Sequence, residues 1–369
     1  MQTEIRKYYS DCDYSTLRLP SRSEHWLSVR SGGEGGSLFE TMKRKIIDLE
    51  GAPISHFVMA GCQHYELGIK AMGTIDWPLT WIQGDACQKG LVYSSQIASI
   101  SGTDLAPIHL EGELVGYQYE DEYARFCRLC SVKPEDTSAS REEQSNSVFE
   151  RMNAALGEAG MKFTDTVRTW LYLDQLLDWY DEFNEVRTRF FEKHAVFDHM
   201  VPASTGIGAT NPWGAALLAD LLAVVPKSDA CRVEPVPSPL QCPALDYKSS
   251  FNRAVEISFP GYRQLLVSGT ASIDENGQSA HLDNAKAQID LTMRVIKEIL
   301  KSRGMDWKNL TRGIAYFKNR ADEILWEDWC AANDMPRFSL AFSHADVCRD
   351  DLLFEIEVDA VEKHNRNSS

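Results

Sequence analysis

The stretch "ADVCRDDLLFEIEVDA" at residues 345–360 has the pattern of a β-strand with carboxylates in its middle. Its apolar side chains alternate, as they do in a half-buried strand: Leu352, Phe354, Ile356 and Val358. Glu355 and Glu357 therefore fall on the opposite face. One interpretation is that this face meets solvent, as in most alternating antiparallel strands. The other is a catalytic acid, with Cys348 seven residues before Glu355.

Length and composition indicate a globular protein of two domains. The chain has 369 residues, more than one hydrophobic core usually supports. It is 43% hydrophobic and 25% charged and has no apolar run near the length of a membrane span, so we expect a soluble protein with no membrane partner. The first residues, "MQTEIRKYYSDCDYS", lack the apolar core of a signal peptide and predict a cytoplasmic location.

Charge and cysteine usage argue against several classes of function. A net charge of −16 disfavours non-specific nucleic-acid binding. The nine cysteines are scattered and odd in number, which fits reduced thiols: Cys12, Cys62, Cys87, Cys127, Cys130, Cys231, Cys242, Cys330 and Cys348. Only Cys127 and Cys130 have ligand spacing, and no second pair or suitable histidines follow, so we expect no metal. The absence of Walker, GxGxxG and GxSxG motifs disfavours nucleotide and serine-hydrolase chemistry and leaves no cofactor indicated.

A weak internal repeat relates the two halves of the chain. Residues 144–173 align with residues 288–317 without a gap, and six of the thirty positions are identical, including Arg168 with Arg312. In both stretches apolar residues recur at helical spacing, a glycine follows the last turn, and a strand pattern comes next. The sequence therefore predicts the same helix and strand unit twice.

The two halves also end in similar apolar strands, "DLLAVV" at 220–225 and "DLLFEI" at 351–356. When these strands are matched, Val224 occupies the position of Glu355. The duplicated unit thus carries this carboxylate once. That is unexpected for a residue that merely meets solvent, and it favours a functional site.

The motifs of the C-terminal half are "SSFNRAVEI", "LLVSGTASIDENGQ", "GIAYFKN", "PRFSL" and "LLFEIEVDAV". Together they resemble the Rid (reactive intermediate deaminase, YjgF-like) superfamily, over roughly residues 245–361. Four further motifs, "RTWLY", "FNEVR", "PASTGIG" and "VCRDDLLFEIE", and the two-module length resemble the chorismatases, a branch that hydrolyses chorismate. This second resemblance covers about residues 160–361.

The resemblance implies an α+β fold of two tandem Rid-like (chorismate mutase-like) modules, each a mixed β-sheet with helices packed on one face. We expect residues 1–240 to form an N-terminal extension plus a degenerate module, and residues 241–369 to form the module with the catalytic glutamate. Rid modules typically pack in threes with sites between them, so a monomer and a homo-oligomer both remain open. The acidic and polar segment 117–147 predicts an insertion or loop of unknown role.

The resemblance also implies a reaction, in which the enol ether of chorismate is cleaved to pyruvate and a ring product. Proton delivery to the methylene carbon begins that cleavage. Desolvation in an apolar strand raises the pKa of a glutamic acid towards working pH, so Glu355 is the predicted proton donor. In this family the residues matching Cys348 and Gly269 separate enzymes that make a dihydroxycyclohexadiene carboxylate from those that make 3-hydroxybenzoate. The Cys and Gly found here resemble the 3-hydroxybenzoate formers; a buried structural role is the alternative for Cys348.

A small-molecule substrate with two carboxylates requires cations, for which the guanidinium group is best suited. By their positions in the matched motifs, we nominate these residues for substrate binding, with Gly269: Arg168, Tyr172, Arg187, Thr270, Tyr316 and Arg337. Convergence of the three arginines on one pocket with Glu355 would favour a dicarboxylate substrate.

Two other functions remain open. Arg337 lies where Rid deaminases keep the arginine that holds a substrate carboxylate, so a Rid-type enamine or imine deaminase would use Arg337 for binding and Glu355 to orient water. An approach of Arg337 alone to Glu355 would favour that enzyme. A non-catalytic metabolite-binding protein built from Rid-like modules is the third possibility.

Overall fold

The computed structural model describes residues 4–8, 12–30, 37–84 and 92–363 and contains three structural repeats. The first consists of β1 (Glu4–Tyr8), β2 (Cys12–Arg18), β3 (Ser23–Arg30), α1 (Ser37–Ile47), β4 (Ala52–Ala60), α2 (Tyr65–Met72), β5 (Leu79–Gly84) and β6 (Val92–Ser101). The second consists of β7 (Ala106–Leu110), β8 (Glu113–Glu120), β9 (Ala124–Val132), α3 (Arg141–Glu158), β10 (Thr166–Leu173), α4 (Tyr180–Lys193), β11 (Ala203–Thr210) and β12 (Leu217–Pro226). The third consists of β13 (Arg232–Val236), β14 (Ala254–Phe259), β15 (Tyr262–Ala271), α5 (Ala285–Ser302), β16 (Leu310–Phe317), α6 (Glu323–Ala332), β17 (Ser339–His344) and β18 (Phe354–Lys363). Cys87 lies outside the described residues.

The three repeats have the same strand order. It is β1-β2-β3-β6-β4-β5 in the first, β7-β8-β9-β12-β10-β11 in the second and β13-β14-β15-β18-β16-β17 in the third. The last two strands of each order are parallel, and the other pairs within a repeat are antiparallel. Gly84 pairs with Ala209, which joins the first two sheets into one of twelve strands beside the six-stranded sheet of the third repeat. The α+β class predicted from the sequence is confirmed.

The number of repeats differs from the two modules that the sequence indicated. The segment expected as an N-terminal extension has the full strand and helix order of the other two repeats. The segment 117–147, expected as an insertion or loop, contributes half of β8, the whole of β9 and the start of α3. Strand order depends on which backbones pair, and such pairing can be kept after side-chain identity is lost, which is why the alignment of 144–173 with 288–317 did not reveal the first repeat.

The long helices form where the sequence predicted them. Ser140 and Glu143 form a capping box at the start of α3, and the Asn284 side chain accepts a hydrogen bond from the backbone at the start of α5. Gly160 and Gly304 follow the two helices with positive φ, a conformation that glycine adopts without steric cost. The apolar face of α5 is fully buried against β15 and β18 of its own sheet.

The inner faces of the three sheets pack against one another at the centre of the molecule. One hydrophobic cluster there combines Met59 of the first repeat, Tyr172 of the second and Tyr316 of the third. The helices lie on the outer faces, so three inter-repeat interfaces form within one chain. No helix in the described ranges is both long and apolar enough to span a membrane.

Candidate active site

Glu355 and Glu357 of β18 are both buried, although the sequence allowed a solvent-facing strand. Glu355 is 4% exposed, and Glu357 has no exposed surface. Their strand lies between β15 and β16, and the face that carries the two acids points towards the second repeat. The solvent-facing interpretation of this strand is therefore excluded, and each carboxyl group needs its own explanation.

Glu357 is held by hydrogen bonds on both carboxylate oxygens. Arg168 and Thr205 donate to Oε2 over 2.8 and 2.5 Å, Trp170 donates to Oε1 over 2.7 Å, and Arg312 donates to the same Oε1. Burial alone raises the pKa of Glu357, but the charges of Arg312 and Arg168 and the two neutral donors outweigh burial and lower it to about 2. Glu357 is therefore a permanently ionised member of the core.

Glu355 has the opposite environment. Its carboxyl group makes no hydrogen bond to any residue that the structure describes. Burial, followed by the negative charge of Glu357, raises its pKa to about 8, against a smaller lowering by Arg168 and Arg253. Two acids on one strand thus hold different protonation states at neutral pH, an arrangement typical of acid catalysis. Glu355 is a buried acid that keeps its proton at pH 7.

The carboxyl group of Glu355 lines a cavity of about 870 Å³ between the second and third repeats. The second repeat supplies α4 and β11 to its walls. The third supplies β15, β18 and the segments 245–253 and 348–349. A cavity of this size at the junction of two units is typical of a small-molecule site.

Arg187 projects from α4 into this cavity and is only 3% exposed. Its guanidinium group donates to Asn184 Oδ1 over 2.5 Å and to Ser249 Oγ over 3.1 Å. No carboxylate in the described part of the chain pairs with it, and its Nε has no hydrogen-bond partner there. Burial lowers the pKa of Arg187, which remains a buried cation in need of an anion.

Three further arginines line the cavity, and one of them, Arg189, pairs with Glu142. Arg253 donates to the backbone oxygen of Cys242 over 3.1 and 2.9 Å, and Arg349 donates to Ser279 Oγ over 3.4 Å. The guanidinium carbon of each lies 5.5 Å from the centre of the Tyr247 ring. Among the described residues neither Arg253 nor Arg349 forms an ion pair, so three cavity arginines lack a protein carboxylate.

Apart from Glu355, the acidic residues of the cavity are exposed and lie on α4: Asp181, Glu185 and Glu192. Within the described ranges no group of three His, Cys, Asp or Glu side chains is placed to hold a metal ion. The inner part of the cavity therefore combines buried cations with one neutral acid, and it suits a ligand with more than one anionic group.

Cys348 and Gly269 both line the cavity beside Glu355. Burial, together with the negative charge that Glu355 can carry, raises the pKa of the Cys348 thiol to about 12, so the thiol stays protonated. A Cβ atom at position 269 would lie 2.0 Å from Glu355 Oε1. Only glycine at position 269 leaves room for the carboxyl group in this position.

Four nominated residues lie close to the site but do not line the cavity. Arg168 is fully buried between the repeats and binds Glu357 and the backbone oxygen of Val267. Tyr172 lines a separate central cavity of about 100 Å³. The Thr270 hydroxyl donates to the Ser268 backbone.

The fourth is Tyr316, whose buried hydroxyl group has no hydrogen-bond partner among the described residues. Its strand, β16, is enclosed at the centre of the molecule, where Tyr316 packs in the same cluster as Met59 and Tyr172. A pocket position could not be inferred from a motif alone, because the motif does not tell which face of the strand meets the cavity.

Arg337 lies at a different interface. It pairs with Asp13 over 2.6 Å and lines a second cavity, of about 550 Å³, between the third and first repeats. The three arginines nominated from the sequence therefore do not converge on one pocket. Arg187 lines the Glu355 cavity, Arg168 forms an ion pair with Glu357, and Arg337 lies at the interface with the first repeat. Arg337 lies two residues before β17, a strand that contacts β2, β3 and β6 of the repeat that the sequence treated as an extension.

The strand registers correct the sequence match between Val224 and Glu355. Tyr172 and Tyr316 are aligned in the repeat, and they pair with Leu218 and Glu355. Leu218 therefore occupies the position of Glu355, and Asp220 occupies that of Glu357. The match failed because the shared letters "DLL" lie differently in the two repeats: Asp220 is inside β12, whereas Asp351 comes before β18. The acid at position 355 still has no counterpart in the second repeat.

The sequence analysis did not nominate several residues of the cavity: Arg253, Arg349, Tyr180 and Tyr247. Arg253 and Arg349 lie within motifs that were quoted, beside Ala254 and Cys348, so proximity to those motifs was an available signal. Tyr247 lies in the linker before β14, where no strand or helix pattern points to a site.

A solved chorismatase structure is similar over almost the whole molecule. The TM-score is 0.64 at 16% sequence identity, and the match covers 91% of this chain and 98% of that chain. This likeness confirms the fold expected from the sequence. No protein-family model matches the chain.

Two Streptomyces proteins are relatives in sequence. A 3-hydroxybenzoate synthase of Streptomyces hygroscopicus is 24% identical over 290 residues, which cover 70% of this chain and 80% of the relative. A chorismatase of Streptomyces rapamycinicus is 26% identical over 220 residues, which cover 53% of this chain and 64% of the relative. The resemblance to the chorismatases that the motifs indicated is confirmed.

The raised pKa of Glu355 predicts a pH-dependent gain in stability on its replacement. The group has its ordinary pKa of 4.5 when unfolded and about 8 when folded, so its stability contribution is complete below pH 4.5 and is lost as pH rises through 8. Glu355→Gln keeps the shape without this loss. We expect it to be about 3 kcal/mol more stable than the wild type at pH 7, by urea unfolding.

The same comparison at pH 4.5 is the control, since Glu355 is then protonated in the folded state and only half ionised in the unfolded state, so the difference should fall to about 0.4 kcal/mol. An equal difference at both pH values would show that Glu355 does not have a raised pKa.

Proposed function

We propose that this protein cleaves the enol ether of chorismate, with release of pyruvate. The observation that carries the proposal is the pairing, in one cavity, of a protonated acid with arginines that have no protein carboxylate: Glu355 with Arg187, Arg253 and Arg349. Chorismate has two carboxylates and an acid-sensitive enol ether. The relatives named 3-hydroxybenzoate synthase and chorismatase support the same substrate.

Glu355 is the proton donor in this proposal. The electron pair of the methylene double bond takes the Glu355 proton, a C–H bond forms, and positive charge develops on the carbon bonded to the ether oxygen. The Glu355 carboxylate that remains lies beside this charge and stabilises it. Attack of an oxygen on the same carbon then leads to cleavage of the ether and release of pyruvate.

The arrangement of the arginines favours a dicarboxylate over the substrate of an imine deaminase. The deaminase alternative required Arg337 alone to approach Glu355, but Arg337 lines the other cavity, and Arg187 lines the cavity of Glu355 instead. Arg187 and Arg253 lie on the two walls of the cavity, so each can hold one carboxylate of the substrate. No observation favours a protein that binds a metabolite without a reaction, because a protonated buried acid is not needed for binding an anion.

For the product we propose 3-hydroxybenzoate. Chorismate contains all the atoms of 3-hydroxybenzoate and pyruvate, so the aromatic route takes up no water, whereas the diol requires one water molecule. The proton lost when the ring becomes aromatic can return to Glu355. The neutral Cys348 thiol beside Glu355 occupies space that water would otherwise fill, and this favours attack by the ring's own hydroxyl group.

The proposed enzyme acts as a single chain in the cytoplasm. Both walls of the Glu355 cavity come from repeats of one chain, so the reaction requires no second copy. The eight cysteines within the described ranges are all free thiols, which fits a reducing compartment.

Incubation of the purified protein with chorismate tests the proposal. We expect pyruvate release by the wild type, with a rate that falls as pH rises above about 8, because Glu355 then loses its proton. Glu355→Gln should slow release about 100- to 10,000-fold, since an amide of the same shape cannot donate the proton. A coupled dehydrogenase assay measures pyruvate. Near-normal turnover by a folded Gln variant would rule out Glu355 as the donor.

Arg187 and Arg337 provide a matched pair for the substrate site. Arg187→Met should lower kcat/KM for chorismate about 100-fold, because one carboxylate loses its charged, buried partner. Arg337→Met removes a similar side chain from the second cavity and should leave kcat/KM within about twofold. Steady-state kinetics measure both. The reverse result, with only Arg337→Met impaired, would place the substrate at the other interface.

Cys348→Ala tests the product. The smaller side chain admits water beside Glu355, so we expect the dihydroxycyclohexadiene carboxylate to appear at the expense of 3-hydroxybenzoate in chromatography of the reaction mixture. Cys62→Ala, at a half-buried cysteine outside the cavity, is the control and should not change the product. A wild type that forms only the diol would contradict the role given to Cys348. Gly269→Ala is unsuitable here because its Cβ would displace Glu355.

A further inference from the structure

Glu355 and Glu357 are close neighbours with different access to the substrate. They are two residues apart on β18, which places their side chains on the same face roughly 7 Å apart. Glu355 lines the cavity, whereas Glu357 is sealed between the repeats and does not reach it. Removal of Glu357 would therefore change the surroundings of the acid without removing a substrate contact.

The charged groups around Glu355 come from several elements. Glu357 lies on the same strand, Arg168 on β10, and Arg253 at the start of β14, while Arg187 faces the cavity from α4. The titratable neighbours are neutral at pH 8: Tyr180 on α4, Tyr316 on β16, and Cys348 in the segment before β18. Asp359, the next acid on the same face of β18, pairs with Arg312 over 3.2 Å, and Glu357 is the negative charge that acts on Glu355 against the arginines.

We propose that Glu357 is a positioning residue that keeps the proton on Glu355. It does so in two ways: it neutralises Arg168, whose charge would otherwise draw the proton away, and it fixes the position of Arg168 through the 2.8 Å ion pair, while Arg312 pairs with the other carboxylate oxygen of Glu357. This inference rests on the proposed role of Glu355 as a proton donor. It gives the buried ion pair a role in catalysis as well as in the assembly of the repeats.

The second repeat provides a matched control for the test. Asp220 occupies the register position of Glu357, is equally buried, and accepts hydrogen bonds from Thr80 Oγ1 and the Ser131 backbone, both over 2.7 Å. It does not belong to the charged groups that act on Glu355. Asp220→Asn therefore disturbs the core in a comparable way without changing the charge beside Glu355.

Infrared difference spectroscopy measures the proton directly. The carbonyl stretch of protonated Glu355 is assigned as the band that Glu355→Gln lacks, and its loss is followed as pH rises. We expect a midpoint near pH 8 for the wild type and for Asp220→Asn. For Glu357→Gln we expect a midpoint lower by about one to two pH units, the size of a Coulomb interaction at about 7 Å. The alkaline limb of kcat/KM should shift by the same amount.

Arg312→Gln is the second variant, because Glu357→Gln places an amide donor among arginine donors and can prevent folding. Loss of the Arg312 charge leaves Glu357 less neutralised, so the midpoint of Glu355 should rise. A midpoint that moves in neither variant, or that moves equally in Asp220→Asn, overturns the inference. The infrared titration needs no substrate, so it separates this inference from the proposed function. If the midpoint does not move and the wild type cleaves chorismate, only this inference is refuted. If the midpoint shifts but the wild type does not cleave chorismate, only the proposed substrate is refuted.

Discussion

The ion pairs of Glu357 with Arg168 and Arg312 are the interaction on which the rest of the structure depends. Arg168 belongs to the second repeat and Arg312 to the third, so one carboxylate joins two repeats at the centre of the molecule. Each of these charges would be very unfavourable in the core alone, and loss of one partner leaves the others uncompensated. The three groups are therefore constrained together, and this constraint sets the alignment of β10 against β18 across the interface. The cavity with Glu355 lies at the edge of that contact.

The other interfaces show which part of this arrangement is structural and which is functional. In each repeat the pairing of the last strand with its neighbour has a register shift near the start of β4, β10 or β16. Counted from that shift, the position of Glu357 is occupied by Asp220 in the second repeat and by Gln96 in the first, so each repeat keeps a buried polar group there. Two residues away, the position of Glu355 is occupied by Leu218 and by Ser94. The position of Glu357 thus retains a role in assembly in all three repeats. The position of Glu355 has an acid only in the third repeat among the described residues, where the cavity has arginines without carboxylate partners.

The sequence predicted the parts of this protein that depend on local pattern. The helical spacing of Ile289, Met293, Ile296 and Leu300 and the alternation along β18 are consequences of which side chains one element buries, and both were correctly read. Glu355 was identified because a carboxylate in such a strand conflicts with that pattern. The cavity that Arg337 lines could not be predicted from the sequence, because its partner Asp13 comes from another repeat, and the only signal for Arg253 was its place beside the apolar residues of β14. The first repeat was missed for the same reason, since its evidence is strand pairing and not residue identity.

The arrangement also links substrate binding to proton donation. In the empty cavity the charge of Arg253 favours loss of the proton from Glu355, and Glu357 opposes it. A substrate carboxylate bound to Arg253 neutralises that charge, so arrival of the dianion strengthens the hold of Glu355 on its proton until the methylene carbon accepts it. Once the proton has moved, the new carboxylate lies beside the positive charge that it created. A dicarboxylate therefore suits this cavity for two reasons, because its anionic groups satisfy the buried arginines and also maintain the acid in the form that reacts.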